Sequence, residues 1–372
     1  MNIHVRIASA VLFLAACAQT PPGGGELPAF RADPNWPKPL AEENGVQLVL
    51  GQVAGIAVNP SNGHVWIVHR PATLLPDEWN AKENRPYTHR CCKSAASVIE
   101  FDAAGNYVRG WTPSGAGFDW PKTEHGIHID SEGNVWLAGN GNEDHQILKF
   151  TPEGKFLMQI GRPGKSEGSN SRAQLGRPAH MVTSGDELFV ADGYGNRRLV
   201  VFDAKTGAYK RHWGAYGTAT PTDDKLPPYD PAQPLSKSFG NPVHCVRVSN
   251  DGMVYVCDRQ NNRIQVFSRT GEFRQEIRVE VQTLANGSTW DMVLSHDPAQ
   301  KYLYVADGAN GRIYIVRRSD GQTVGAFGRT GRMAGEFKWI HNIAIDRDGN
   351  LYTSEVGFGR RVQKFVRSGG AF

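Results

Sequence analysis

Long hydrophobic runs are almost absent from this chain of 372 residues. The exception lies within the opening MNIHVRIASAVLFLAACAQT, where about ten apolar residues fall well short of the roughly 20 that cross a bilayer as a helix. Cysteine is scarce, at five, which excludes a small fold held together by disulfides. Charge of one sign is scarce too: the net charge is +4, no long basic run occurs, and nucleic acid is not expected as a partner. Segments with a helical hydrophobic period are missing. What remains is a globular composition, 40% hydrophobic and 21% charged, with no second segment of membrane length. Turn formers are abundant by contrast, with 42 glycines and 22 prolines spread along the chain rather than clustered as in a disordered tract.

One arginine followed by the short apolar run reads as a secretory signal. The run ends in LAAC, which resembles a lipobox, with Leu14 three residues before Cys17. Residues 1–17 are therefore expected to be a signal peptide with Cys17 as the lipidation site; the alternative is a plain signal peptide with an incidental cysteine. Ala18 stands where an aspartate would retain a Gram-negative lipoprotein in the inner membrane. The expectation is an exported protein, lipid-anchored to the cell envelope at the outer membrane. Residues 18–45 are rich in proline and glycine and read as a flexible tether, leaving 46–372 as the working domain. Four cysteines remain there, and an oxidising compartment permits three pairings. HCVRVSNDGMVYVCD looks like a hairpin, and with Gly252 in a left-handed bulge position Cys245 and Cys257 face each other. Cys91 and Cys92 are then two free thiols or a vicinal bridge.

Six segments share one pattern of short alternating run, turn and second apolar run. They are GIAVNPSNGHVWIVHR, GIHIDSEGNVWLAGN, MVTSGDELFVADGYG, CVRVSNDGMVYVCDRQ, DMVLSHDPAQKYLYVADGA and NIAIDRDGNLYTSEVGF. Third runs follow as SVIEFD, HQILKF, RRLVVF, NRIQVF, GRIYIV and RRVQKF, and the first five segments add a fourth. Strands of about five residues, four to a unit and separated by tight turns, describe an all-β six-bladed propeller. The sixth unit lacks its fourth strand, and VQLVLG at 46–51 is the expected substitute, an N-terminal strand that closes the ring in the last blade. Insertions at 71–94, 162–178 and 215–240 are expected on the top face.

In a propeller the first strand of each blade lines the central channel. The residues opening those strands are Ala54, His125, His180, His244, Trp290 and His341, so four of the chain's 12 histidines share one structural position. His125, His244 and His341 belong to blades two, four and six, about 120° apart on a sixfold ring. Three imidazoles on one axis with a position left open match a catalytic zinc site. His180 breaks the threefold pattern and is expected as a neighbour of the ligands or a further donor at the channel mouth. The ends of the second strands carry Arg70, Tyr194 and Arg259, where other blades have small residues. An anion clamp and a proton-transfer group are the chemistry these types supply beside a metal. The recurring Asp-Gly pairs, such as Asp192-Gly193 and Asp307-Gly308, read as turn structure.

These repeats resemble NHL repeats, and residues 51–366 are similar to peptidyl-α-hydroxyglycine α-amidating lyase. The resemblance is carried by GQVAGIAV…VHR at 51–70, EHGIHID at 124–130, VADGYGNRR at 190–198, PVHCVRV at 242–248, CDRQNNRIQVF at 257–267 and IHNIAID at 340–346. It implies a zinc ion held by His125, His244 and His341, a catalytic Tyr194, and active-site arginines Arg70 and Arg259. It also implies a hairpin disulfide matching Cys245–Cys257. A structural calcium deeper in the channel would use the carbonyls of Ile56 and Ile127, but its aspartate position is Asn342 here, and the lost charge weakens that site. The implied reaction splits an N-acyl-α-hydroxyglycine, a small-molecule or peptide substrate with a carboxylate, into an amide and glyoxylate. A monomer is expected.

Two other functions fit parts of this pattern. One is a non-catalytic propeller binding a protein or glycan on its top face, with Trp79, Tyr87 and Tyr229 in the contact surface. The other is a lactonase-type or phosphotriesterase-type propeller, which centres on calcium held by acidic and amide groups; histidines at the channel entries argue against it.

Overall fold

The computed structural model describes residues 27–40, 42–43, 45–75, 78 and 92–369. The signal segment with Cys17, as well as Cys91, Trp79 and Tyr87, lies outside the described residues.

Six four-stranded antiparallel sheets follow one another around a ring. Their channel strands are Gln52–Val58, Glu124–Ile129, His180–Ser184, Val243–Val248, Asp291–Leu294 and Ile340–Ile345 in blades one to six. Each is paired with the next strand in sequence, and so on outward, mostly across short turns; in blade one the insertion after Arg70 separates the second strand from its partner Val98–Phe101. The hydrophobic core is divided the same way. Each of six buried clusters joins two neighbouring blades, as where Trp136 and Ile147 of blade two pack with Met181 and Val190 of blade three. A blade buries both faces this way, which is why its second strand reads as a continuous apolar run: all of Val254–Asp258 is buried. Among the described residues no helix is long and apolar enough to cross a membrane.

The ring closes through an N-terminal strand in the last blade, but not the strand expected. Ala29–Asp33 pairs antiparallel with Val362–Gly369 on the outer edge of blade six. That strand falls within 18–45, so this part of the segment read as tether belongs to the propeller. Val46–Val49 instead pairs in parallel with Cys92–Ser94, and Leu48 fills the seam between blades six and one. The reason is spatial. A fourth strand lies three strand spacings, about 14 Å, from the channel, and a run ending at residue 51 leaves no chain to cover that distance before blade one begins at Gln52. The chain starts that crossing just after Asp33, where Trp36 is buried between Phe101 and Tyr352. Phe30 fastens the closing strand by standing 5.1 Å from Tyr304 and 5.0 Å from Phe327 of blade five.

Cys245 and Cys257 face each other in the blade-four hairpin and are bonded, with Gly252 at positive φ in the turn. Cys92 is itself disulfide-bonded and so is not a free thiol. The recurring Asp-Gly pairs are turn structure: buried Asp192 accepts from the Gly176 backbone, the Asn196 amide and Arg198 at 2.7, 2.7 and 2.9 Å.

Candidate functional site

Three imidazoles meet on the channel axis. His125, His244 and His341 open the channel strands of blades two, four and six, and their ring centroids stand 4.7 to 5.1 Å apart. One ring nitrogen from each lies within 4.8 Å of the others. The alternate blades fix the rings. Nδ1 of His341 donates to the Ala54 carbonyl of blade one at 2.7 Å, Nδ1 of His125 to Ala179 beside blade three at 2.7 Å, and Nδ1 of His244 to Trp290 beside blade five. With the proton committed to Nδ1, each Nε2 keeps its lone pair for the axis. Burial is the first cause holding all three rings well below the ordinary imidazole value, His341 down to about 3, and the neighbouring cations add to it. Neutral imidazoles with converging lone pairs are a donor set that suits zinc.

Tyr194 reaches this cluster from blade three. Its hydroxyl lies 3.0 Å from Nε2 of His125 and 3.1 Å from Nε2 of His244, and it accepts from Arg259 at 3.3 Å. The flanking glycines make this approach possible: a side chain at Gly193 would run into the Val243 backbone, and one at Gly195 into Gly176. Asn241 clamps the same turn by donating to the Gly193 carbonyl at 2.7 Å.

Two arginines flank the tyrosine. Arg70 is held by the Glu124 carbonyl at 2.7 Å and reaches Gln52 and Asn140, each at 3.3 Å. Arg259 is 7% exposed and stacks 4.1 Å over Trp290, and its Nε is buried with no partner. Desolvation lowers the pKa of both guanidiniums. A buried guanidinium with a spare donor is costly unless an anion completes it.

A model of the NHL repeat matches residues 243–267, the first three strands of blade four. Over 352 residues the chain is 28% identical to peptidyl-glycine alpha-amidating monooxygenase B of Xenopus laevis, covering 90% of this chain and 35% of that one. It is 26% identical over 314 residues to a probable peptidyl-alpha-hydroxyglycine alpha-amidating lyase of Caenorhabditis elegans, covering 82% and 80%. It is 25% identical over 363 residues to NHL repeat-containing protein 3 of Mus musculus, covering 92% and 85%. The chain is an NHL-repeat propeller similar to the amidating lyases. It spans about a third of the length of the frog monooxygenase. Among solved structures, a streptogramin B lyase superposes with a TM-score of 0.51 at 14% identity, covering 86% of this chain and 95% of that one. The WD40 propeller of Doa1 gives 0.50 at 10%, covering 92% and 98%. Both likenesses concern the fold alone.

His180 does not join the three histidines of this NHL-repeat propeller. It accepts a hydrogen bond from Arg247 Nη1 at 2.6 Å, below them in the channel. Ile56 and Ile127 lie two residues below Ala54 and His125 on their strands, at that lower level. Asn342 spans the two levels: its Oδ1 meets Nδ1 of His341 at 2.8 Å, and its Nδ2 donates to Asp291 at 3.0 Å. Three residues here escaped the sequence reading. Arg247 and Asp291 are single charges inside apolar channel strands, a signal visible in VHCVRV and WDMVL. Arg177 stands 5.8 Å from the Tyr194 ring at a φ of 60°. It arrives on a loop, where no strand pattern points to it.

Proposed function

We propose that this NHL-repeat propeller is a zinc-dependent carbon–nitrogen lyase that splits an N-acyl-α-hydroxyglycine-like substrate into an amide and glyoxylate. The observation that carries the reading is the Tyr194 hydroxyl, within hydrogen-bond reach of two converging imidazoles and of Arg259. Nε2 of His125, His244 and His341 would hold the zinc, which when bound acidifies a hydroxyl at neutral pH.

The chain's own groups supply the rest. Arg259, with its unpartnered Nε, and Arg70 take the substrate carboxylate and orient the α-carbon toward Tyr194. Tyr194 Oη accepts the proton of the α-hydroxyl. The oxygen's electron pair becomes the carbonyl bond of glyoxylate, the C–N pair leaves with nitrogen, and a proton returns to the nitrogen to give the amide. No oxidant or reductant is consumed. The arginines also face the carboxylate of the product.

Glyoxylate release from N-benzoyl-α-hydroxyglycine by untagged protein tests the activity, with metal content measured alongside. About one zinc per chain, lost in His244→Ala together with turnover, is the expected result. Zinc without turnover on any N-acyl-α-hydroxyglycine would sink the reaction and keep the site. The similarity to NHL repeat-containing protein 3 over most of both chains favours one second reading, a propeller that binds a ligand on its top face without chemistry. That reading predicts no metal and no glyoxylate. An exported, lipid-anchored location belongs to the same proposal, and its check is fatty-acid labelling that disappears in Cys17→Ser.

A further inference from the structure

Below the three histidines the channel changes character. Arg247 leaves its own strand in blade four and lays its guanidinium across the axis. Its Nε donates to the Met292 carbonyl of blade five at 2.9 Å, and its Nη2 to the Ile343 carbonyl of blade six at 3.1 Å. Met292 and Ile343 stand two residues below Trp290 and His341, the same level as Ile56 and Ile127 in blades one and two. Nη1 reaches His180 at 2.6 Å. Nη2 also pairs with Asp291 at 2.9 Å, and that carboxylate is fully buried.

Asp291 is surrounded by donors. Burial pushes its carboxyl up, but every contact it makes is with a donor: Arg247, the Asn342 amide at 3.0 Å, and the backbone N–H groups of Ile343 at 3.1 Å and Met292 at 2.8 Å. No acceptor stands ready for a carboxylic proton. Asn342 is therefore more than an aspartate that has lost its charge. An aspartate there would set a second carboxylate against Asp291 where the amide now donates. Its oxygen, meanwhile, is engaged with His341 Nδ1.

We propose that Arg247 is a built-in channel cation standing in place of a divalent ion, with Asp291 as its counter-charge, so that this propeller binds no structural calcium. A calcium ion at this level would meet a guanidinium already bonded to the Met292 and Ile343 carbonyls, and the Asp291 carboxylate beside it is spent on that guanidinium. The inference does not depend on the lyase reading, since it concerns the level beneath the histidines. A cavity of about 440 Å³ opens under it, lined by Arg247, His180 and His128 among others.

Calcium binding and melting temperature test it on the full chain, with and without added zinc. Equilibrium dialysis with radioactive calcium should find no stoichiometric site in the wild type, and millimolar calcium should leave its melting temperature unchanged. The double variant Arg247→Met, Asn342→Asp removes the internal cation and restores a carboxylate beside Asp291; calcium should raise its melting temperature and bind at one ion per chain. If that variant does not fold, Arg247→Lys should keep the calcium indifference because a cation remains. Micromolar calcium binding by the wild type overturns the proposal, as does a folded double variant that ignores calcium. Failure of glyoxylate release or of zinc binding would remove the proposed function and leave these calcium results to stand alone.

Discussion

Two levels of one channel, two residues apart along the strands, use similar backbone in opposite ways. At the upper level, carbonyls of alternate blades accept the Nδ1 protons of three histidines and turn their lone pairs inward. At the lower level, carbonyls of the same kind accept from Arg247, so the channel centre holds a positive charge and its donors. The difference comes from which side chains project inward, not from the fold. A propeller supplies a ring of carbonyls at each level, and the residues that project there decide whether the level attracts a cation or already contains one. Asn342 is the hinge between them, since one end of its amide touches His341 and the other Asp291.

The contrast can be broken at the top first. Tyr194→Phe should lower turnover by about 10²–10⁴-fold with the zinc retained, as measured by glyoxylate release beside metal content. An unchanged rate would remove Tyr194 from the chemistry. At the lower level, Asp291→Asn leaves Arg247, whose side chain is 15% exposed, without its counter-ion, and the folded state should lose about 1–3 kcal/mol in denaturant titration. Adding Arg247→Met to that variant should recover much of the loss, which a purely steric effect of the asparagine would not allow. Away from the channel, Phe30→Ala should cost about 1–2 kcal/mol, because the ring is only half buried against Tyr304 and Phe327. Arg317→Ala, in an exposed pair with Asp320, should change stability by no more than about 0.5 kcal/mol.

The strands and the three histidines were legible for one reason. A repeat places equivalent residues at equivalent depths, so His125, His244 and His341 can be compared before any coordinate is known. The Cys245–Cys257 pair followed from hairpin register in the same way. The ring closure was not legible, because AFRAD carries two charges in five residues and VQLVLG reads as the better strand. The choice between them was made by the distance to the channel and by a pocket for Phe30 on a different blade. Arg247 and Asp291 were visible as odd charges in apolar strands, but their meaning lies in each other, 44 residues apart. Arg177 gave no signal, since a loop residue beside Tyr194 is placed by the close packing of Gly176 against Gly195.

The strand at Ala29–Asp33 and its partner at Val362–Gly369 also set an order of events during synthesis. The closing strand leaves the ribosome before any blade has been made, and its edge partner follows all the strands of blades one to five. Until then blade six is incomplete, and Phe30 has no finished surface to meet, because Phe327 of blade five is itself late. Blades one to four can form from neighbouring segments as they appear, but the circle is joined only when Val362–Gly369 is available. Such a long-range contact is slow to find, and a nascent chain stalled before Val362 would carry both an unpaired strand edge and an unclasped closing strand, the surfaces that chaperones meet.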